Sequence, residues 1–246
     1  MGTLVSLSLF LISRFPRMFV LILAFCIPLL FLLSFYFYVK KTRAWKEPIG
    51  LLTFLLLLSQ IGLVTIIEHS WVRWFVILLS GVVVGILYGA GVTRGDTLNA
   101  LQKPYRRFVM SAWVLCIFGI TSSFYALELF LPSPGLFILL LLLGGTVMGY
   151  VASCVWVMYF PRPRKVFLLW MVLIGFLGMQ LLWALHFLPL GYLTLGVFLT
   201  WAWYLLVLFS RFHWDEQGVE WKKQIPFVLT NTAILVILVL FFVRWI

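Results

Sequence analysis

The residues best suited to chemistry in this chain lie at the ends of its long apolar runs. They are five ionisable side chains, Glu68, His69, Arg73, Glu128 and His186. Ionisable groups at membrane depth are costly and usually mark a functional site. Carboxylates and imidazoles bind protons, metal ions and polar headgroups. If these five side chains meet in one layer, they would form a polar site there.

A simpler explanation accounts for the same five residues. Glu68 and Arg73 flank a short turn, where they can pair with each other or extend to water. His186 can be a single hydrogen-bonded histidine that has no role in a site. The sequence leaves both interpretations open.

Other chemistry is not indicated. The chain has no His-Glu-x-x-His or Gly-x-Ser-x-Gly motif and no phosphate-binding loop. Its three cysteines lack the paired spacing of a zinc site or a disulfide framework. A mixed-charge loop holds His213, Asp215, Glu216 and Glu220, and a solvated connector explains it better than a metal site. We therefore predict no metal and no cofactor.

Two runs of small residues have the four-residue spacing of helix-packing faces. They are Gly81, Gly85 and Gly89 in one apolar run, and Gly145, Gly149 and Ser153 in another. Small residues let helix backbones approach closely in lipid. Static packing within one bundle is the favoured interpretation, and a sliding or oligomerising face is the alternative.

The composition requires hydrocarbon as the main solvent. Of 246 residues, 64% are hydrophobic and 10% are charged, whereas soluble domains have about 25% charged residues. Apolar runs of about 20 residues without period-two alternation predict membrane-spanning helices rather than a β-barrel. We predict an all-α, polytopic transmembrane bundle, a single domain over 1–246. Its spans, about eight, lie near 17–39, 48–67, 72–92, 108–130, 135–159, 166–187, 189–210 and 226–243. The preceding segment Met1–Phe15 is expected to lie in the interface or to extend the first span.

The basic residues indicate an orientation. Fourteen of the 18 Lys and Arg residues follow the first, third, fifth and seventh predicted spans. Because Lys and Arg near span ends stay on the cytoplasmic side, these connectors should be the inner loops. Short outer hairpin turns and two outer termini then follow. The net charge of +11 predicts contact with anionic lipid headgroups at the inner face, and nucleic acid is not expected as a partner.

Tryptophan and buried polar residues complete the prediction. Eight Trp residues near predicted span ends, among them Trp71 and Trp156, are expected to anchor the helices at the headgroup level. Polar residues deeper in the spans are expected to bridge helices by hydrogen bonds. They are Gln60, Gln180, Thr65, Thr121, Ser122, Ser123 and Asn231.

Three classes of function are consistent with these features. The first is a non-enzymatic membrane component or subunit that packs against other membrane proteins or a second copy. The second is a transporter or channel for a small solute or a lipid, and the third is an intramembrane enzyme that uses the outer Glu and His residues. The sparse polar interior and the glycine faces favour the first. The compact, nearly loopless chain suggests a prokaryotic plasma membrane.

Overall fold

A computed structural model describes residues 2–14, 49–92, 102–160, 164–213 and 221–242. All regular structure in these ranges is helical, which confirms the predicted all-α class. The α-helices are α1 (Gly2–Arg14), α2 (Ile49–Ile66), α3 (Ser70–Val92), α4 (Gln102–Phe130), α5 (Pro134–Tyr159), α6 (Leu168–His186), α7 (Tyr192–His213) and α8 (Trp221–Phe242). A 3-10 helix, Arg164–Phe167, precedes α6.

Within the described ranges, five helical segments are long and apolar enough to cross a bilayer. They are Ser70–Leu87, Pro104–Phe130, Pro134–Tyr159, Lys165–His186 and Tyr192–Arg211. Helices α2 and α8 coincide with predicted spans, but their apolar parts, Leu51–Ile66 and Gln224–Ile237, are shorter. Because a helix rises 1.5 Å per residue, about 20 residues match the hydrocarbon core. The predicted span 17–39 lies outside the described residues, and the total of eight spans stays a prediction.

Three short connections lie where the sequence predicts the outer turns. They join α2 to α3, α4 to α5 and α6 to α7. In the second, Pro134 occupies the first turn of α5, where its missing N–H costs no hydrogen bond. Helices α2 and α3 pack against each other, as do α6 and α7. Both pairs are therefore antiparallel hairpins.

The chain forms two compact units, unit 1 (Met1–Ser123) and unit 2 (Phe124–Ile246), and α4 continues from one into the other. In unit 1, α1 packs along α3 in the opposite direction. The rings of Phe10 and Trp74 stack at 5.2 Å, and Gly2 lies against Gly81.

This packing concerns the segment expected to lie in the interface or to extend the first span, and both alternatives stay predictions. Gly81 is eleven residues into α3, so Gly2 lies beside the middle of that helix. The buried side chains of α1 are Val5, Leu9 and Ile12. Helix α1 is therefore part of the packed core of unit 1.

Helices α2 and α4 of unit 1 meet at alternating glycine and serine residues. A Cβ atom on Gly119 would lie 2.8 Å from the Cβ of Ser59, and Gly62 faces Ser123 in the same way. The residue numbers increase together along both helices, so the two helices are parallel. Neither Gly62 nor Gly119 belongs to the predicted four-residue repeats.

Glycines also bring α5 and α6 of unit 2 together. A Cβ atom on Gly145 would lie 2.7 Å from the carbonyl oxygen of Gly175, and one on Gly149 would meet the carbonyl oxygen of Met171. Each helix therefore presents backbone to the other, which a larger side chain would prevent. The neighbour on this face is another helix of the same unit.

The other predicted small residues differ in their surroundings. Gly81 meets Ser6 and Gly2 of α1, whereas a Cβ atom on Gly85 would have no neighbour within 4 Å. Gly89 lies in α3 beyond the residues whose surroundings the structure describes. The buried Ser153 hydroxyl donates to the carbonyl oxygen of Tyr150 at 2.7 Å, within its own helix.

Tryptophans contribute to the core as well as to the surface. Trp156, expected at the interface, is fully buried because Phe167 of the 3-10 helix covers it, with ring centroids 5.8 Å apart. The buried Trp203 on α7 donates its indole N–H to the carbonyl oxygen of Met148 on α5 at 3.1 Å. Trp71, at the start of α3, is 85% exposed.

The contrast between the two glycine faces gives a test of packing. We expect Gly149→Ala to lower the free energy of unfolding by about 1–3 kcal/mol, because its methyl group must displace α6 backbone. The matched control is Gly85→Ala, which also lies at mid-helix in a four-residue glycine repeat. It should change the free energy of unfolding by no more than about 0.5 kcal/mol. Unfolding of the detergent-solubilised protein by tryptophan fluorescence measures both. Equal stabilities of the two variants would contradict a close α5–α6 contact at Gly149.

Candidate functional site

In unit 2, the structure brings two of the predicted ionisable residues into contact. Glu128 lies in the last turn of α4, and His186 is the last residue of α6. The Nδ1 atom of His186 lies 3.1 Å from Oε2 of Glu128. Their side chains are 31% (His186) and 22% (Glu128) exposed. We call these two residues the acid–histidine pair.

Aromatic residues hold the pair in place. The ring of Phe137 on α5 lies 4.7 Å from the imidazole of His186. One turn deeper, the buried Tyr125 hydroxyl of α4 donates to the carbonyl oxygen of Leu182 on α6 at 3.1 Å. Residues three or four positions apart share a helix face, so both contacts join the same faces of α4 and α6. Neither Tyr125 nor Phe137 is among the predicted site residues.

The geometry of the acid–histidine pair limits its chemistry. When the carboxylate of Glu128 accepts a hydrogen bond from Nδ1, the tautomer and ring orientation of His186 are set. The Nε2 atom then remains to exchange a proton with a third group. Carboxylate–imidazole pairs of this kind occur in proton transfer and at metal sites.

In unit 1, Arg73 binds backbone rather than a carboxylate. Its Nη2 donates to the carbonyl oxygens of Ile67 at 2.8 Å and Glu68 at 3.3 Å, and its Nε donates to that of Ile67 at 3.1 Å. The last carbonyl groups of a helix lack partners within it, and a cation there also interacts favourably with the helix dipole. Arg73 therefore caps the C-terminus of α2.

The five predicted residues thus form two groups. The side chains of Glu68 and His69 are exposed beside the turn that Arg73 caps. The acid–histidine pair belongs to the other unit. Convergence of all five in one layer stays a prediction.

A metal site needs more ligands than this pair supplies. Across the described ranges, no group of three or more His, Cys, Asp or Glu side chains is placed to hold a metal ion. The imidazole of His213 lies against the ring of Trp170, with centroids 4.9 Å apart. Asp215, Glu216 and Glu220, which share its loop, lie outside the described residues.

A buried polar contact in unit 1 joins α2 to α3. The hydroxyl of Ser80 lies 3.0 Å from Oε1 of Gln60 and 2.6 Å from the carbonyl oxygen of Val76, and it can donate to either. The amide of Gln60 donates to Ser59 at 3.4 Å. Gln60 therefore bridges two helices, as the sequence predicts. Ser59 and Ser80 were not singled out.

Most other deep polar residues bond within their own helix. The polar side chains of Thr65, Thr121, Ser123 and Asn231 donate to carbonyl oxygens three or four residues earlier. A bridging role was expected for these four, and the short distance to the preceding turn explains the difference. Gln180 is exposed. Ser122 is fully buried, and its hydroxyl has no hydrogen-bond partner in the described part of the chain.

The acid–histidine pair can be tested by a double-mutant cycle. We expect Glu128→Gln and His186→Gln each to reduce stability, with a coupling energy of about 0.5–1 kcal/mol between them, because each removes the same contact. Denaturant unfolding in detergent measures the three variants and the wild type. Glu68→Gln, in the α2–α3 turn and with an exposed side chain, is the control and should change stability by no more than about 0.5 kcal/mol. Additive effects of the two substitutions would contradict a direct interaction.

Comparisons of the chain with protein-family profiles, with curated proteins and with solved structures found no match. Its function must therefore be inferred from its own residues and their geometry.

Proposed function

We propose that the chain is a multi-pass integral membrane protein that acts as a non-enzymatic component, a subunit or scaffold, of a plasma membrane. Its five long apolar helices are compatible with insertion into a bilayer. The observation that carries the proposal is the use of interior polar groups in packing. Gln60, Tyr125 and Trp203 each hydrogen-bond to a neighbouring helix.

Such bonds have a defined effect in lipid. Hydrocarbon provides no partners for polar groups, so a bond between helices holds their relative positions. Glycine contacts between α5 and α6 add close backbone packing. These features support a protein whose interior maintains a fixed shape.

A scaffold also needs a surface for its partners. Along α3, Phe75, Leu78 and Val82 are exposed, and Gly85 is open on its Cβ side. Small residues between larger apolar ones allow another transmembrane helix to approach. We propose this face as a contact for a membrane-protein partner or for a second copy of the chain.

The proposed orientation places the basic connectors in the cytoplasm, as the positive-inside rule requires. Anionic lipid headgroups are then the expected partners at this face. Arg14 is one of the four basic residues outside the predicted inner connectors. Helix α1 runs opposite to α3 and ends near the level at which α3 begins, which supports an outer position for Arg14. The predicted outer position of both termini stays a prediction.

A second candidate function is intramembrane chemistry at the acid–histidine pair. The 3.1 Å contact and the partial exposure of both side chains favour it. An enzyme or a proton-coupled transporter would depend on these two groups. A scaffold would use them only to join α4 to α6.

Complementation separates the two candidates. We expect Glu128→Gln and His186→Gln to restore the phenotype of a deletion strain to the wild-type level, because a scaffold needs the shape of the bundle rather than its titratable groups. Membrane yield of each variant is measured by quantitative immunoblot as the control. Loss of complementation at unchanged yield would support intramembrane chemistry and reject the scaffold.

Orientation is tested by single cysteines in a chain whose own cysteines are replaced by alanine. We expect Ser133→Cys, in the α4–α5 turn, to react with a membrane-impermeant maleimide in intact cells. Lys165→Cys, in the 3-10 helix, should react only after permeabilisation. The opposite labelling pattern would show that the chain has the inverted topology and would contradict the proposed orientation.

A further inference from the structure

Basic and aromatic residues gather at the end of unit 2 that lies opposite the acid–histidine pair. Here α5 and α7 end and α6 begins. The guanidinium of Arg211 lies 4.0 Å from the ring centroid of Tyr159, and the rings of Trp170 and His213 are 4.9 Å apart. Lys165, in the 3-10 helix before α6, is exposed. We call these five residues the basic–aromatic end.

By sequence, positive charge exceeds negative charge at this end. The segments 161–165 and 211–223 hold six Lys and Arg residues and three acidic residues, Asp215, Glu216 and Glu220, which lie outside the described residues. Within the described residues of unit 2, the acidic residue is Glu128, and it lies beyond the other end of α5. That helix has 26 residues and is about 39 Å long at 1.5 Å per residue. The cation–π contact with Tyr159 restricts Arg211 and does not itself occupy the N–H donors of the guanidinium.

An exposed apolar surface begins next to these charges. Leu168, Leu169 and Val172 of α6 are 56%, 76% and 57% exposed, and Val166 before them is also exposed. The surface therefore changes from cationic to apolar within about two helical turns. A phospholipid has the complementary order, an anionic headgroup followed by acyl chains.

We propose that the basic–aromatic end binds an anionic phospholipid. Arg211 donates to the phosphodiester, because a guanidinium matches two phosphate oxygens at once. Lys165 adds a second positive charge, and the exposed side chains of α6 contact the acyl chains. Trp170 and Tyr159 lie where aromatic residues favour the headgroup layer. The inference deepens the proposed function, since it names residues for the lipid contact at the basic face.

Titration of the full chain in neutral detergent, followed by native mass spectrometry, tests this proposal. We expect phosphatidylglycerol to bind at least tenfold more tightly than phosphatidylcholine. The Lys165→Gln/Arg211→Gln double variant should weaken phosphatidylglycerol binding about tenfold and leave phosphatidylcholine binding unchanged. The matched control, Arg106→Gln/Arg107→Gln, removes the same charge from the start of α4 and should weaken phosphatidylglycerol binding by no more than about twofold, because it reduces only the general attraction of the basic face.

A second pair of variants examines the aromatic contact without a change of charge. Tyr159→Leu should weaken phosphatidylglycerol binding several-fold, because Arg211 loses the ring that positions it, and Tyr159→Phe should retain it. The two Tyr159 variants still test the proposal if the Lys165→Gln/Arg211→Gln double variant fails to fold. Inorganic phosphate is the third probe, and it should not compete at millimolar concentration because it lacks acyl chains.

Three results would overturn the inference. They are unchanged phosphatidylglycerol binding in the Lys165/Arg211 variant, equal loss in the Arg106/Arg107 control, and full competition by inorganic phosphate. The proposed function fails by a different readout, loss of complementation by the acid–histidine variants at normal membrane yield. The two failures are therefore distinguishable.

Discussion

Hydrocarbon cannot hydrogen-bond to a polypeptide, so each polar group placed in it needs a partner within the protein. Helices satisfy the backbone, and many polar side chains also bond within the protein, whereas the buried Ser122 hydroxyl and Trp156 indole N–H have no partner in the described part of the chain. Ser123 and Thr121 donate to their own preceding turn, whereas Gln60 and Tyr125 reach a neighbouring helix. At a helix end, Arg73 donates to carbonyl groups that the helix leaves unpaired. Among the described residues, Gln60, Tyr125 and Arg73 thus use their polar groups to hold helices and helix ends in place.

The same solvent changes what holds helices together. Lipid tails surround Leu and Val as favourably as another helix does, so apolar burial alone does not select a packing partner. Close approach of two helix backbones does select a partner, and this approach depends on glycine. Gly145, Gly149 and Gly175 form such a contact between α5 and α6, while Ser59 and Gly119 form one between α2 and α4. Hydrogen bonds from a few buried side chains then define the register of these contacts.

The two ends of unit 2 carry different chemical groups. The acid–histidine pair lies at one end of its helices and the basic–aromatic end at the other, with α5 extending between them. A membrane protein with this distribution has a preferred orientation, because positive groups favour the cytoplasmic side and its anionic lipids. Location along the helix axis thus separates a group suited to proton exchange from groups suited to anion binding.

By itself, the sequence determined the all-helical class, the three short turns and the positions of the glycine repeats, because hydrophobic runs and turn residues are local signals. Only the tertiary structure decided which helices meet. The contact of Glu128 with His186 and the packing of α1 on α3 join distant segments, and the burial of Trp156 depends on how the 3-10 helix packs back against α5. Apolar helices offer many faces of similar hydrophobicity, so composition cannot rank their partners. Shape complementarity at a few small residues, together with isolated hydrogen bonds, makes that choice.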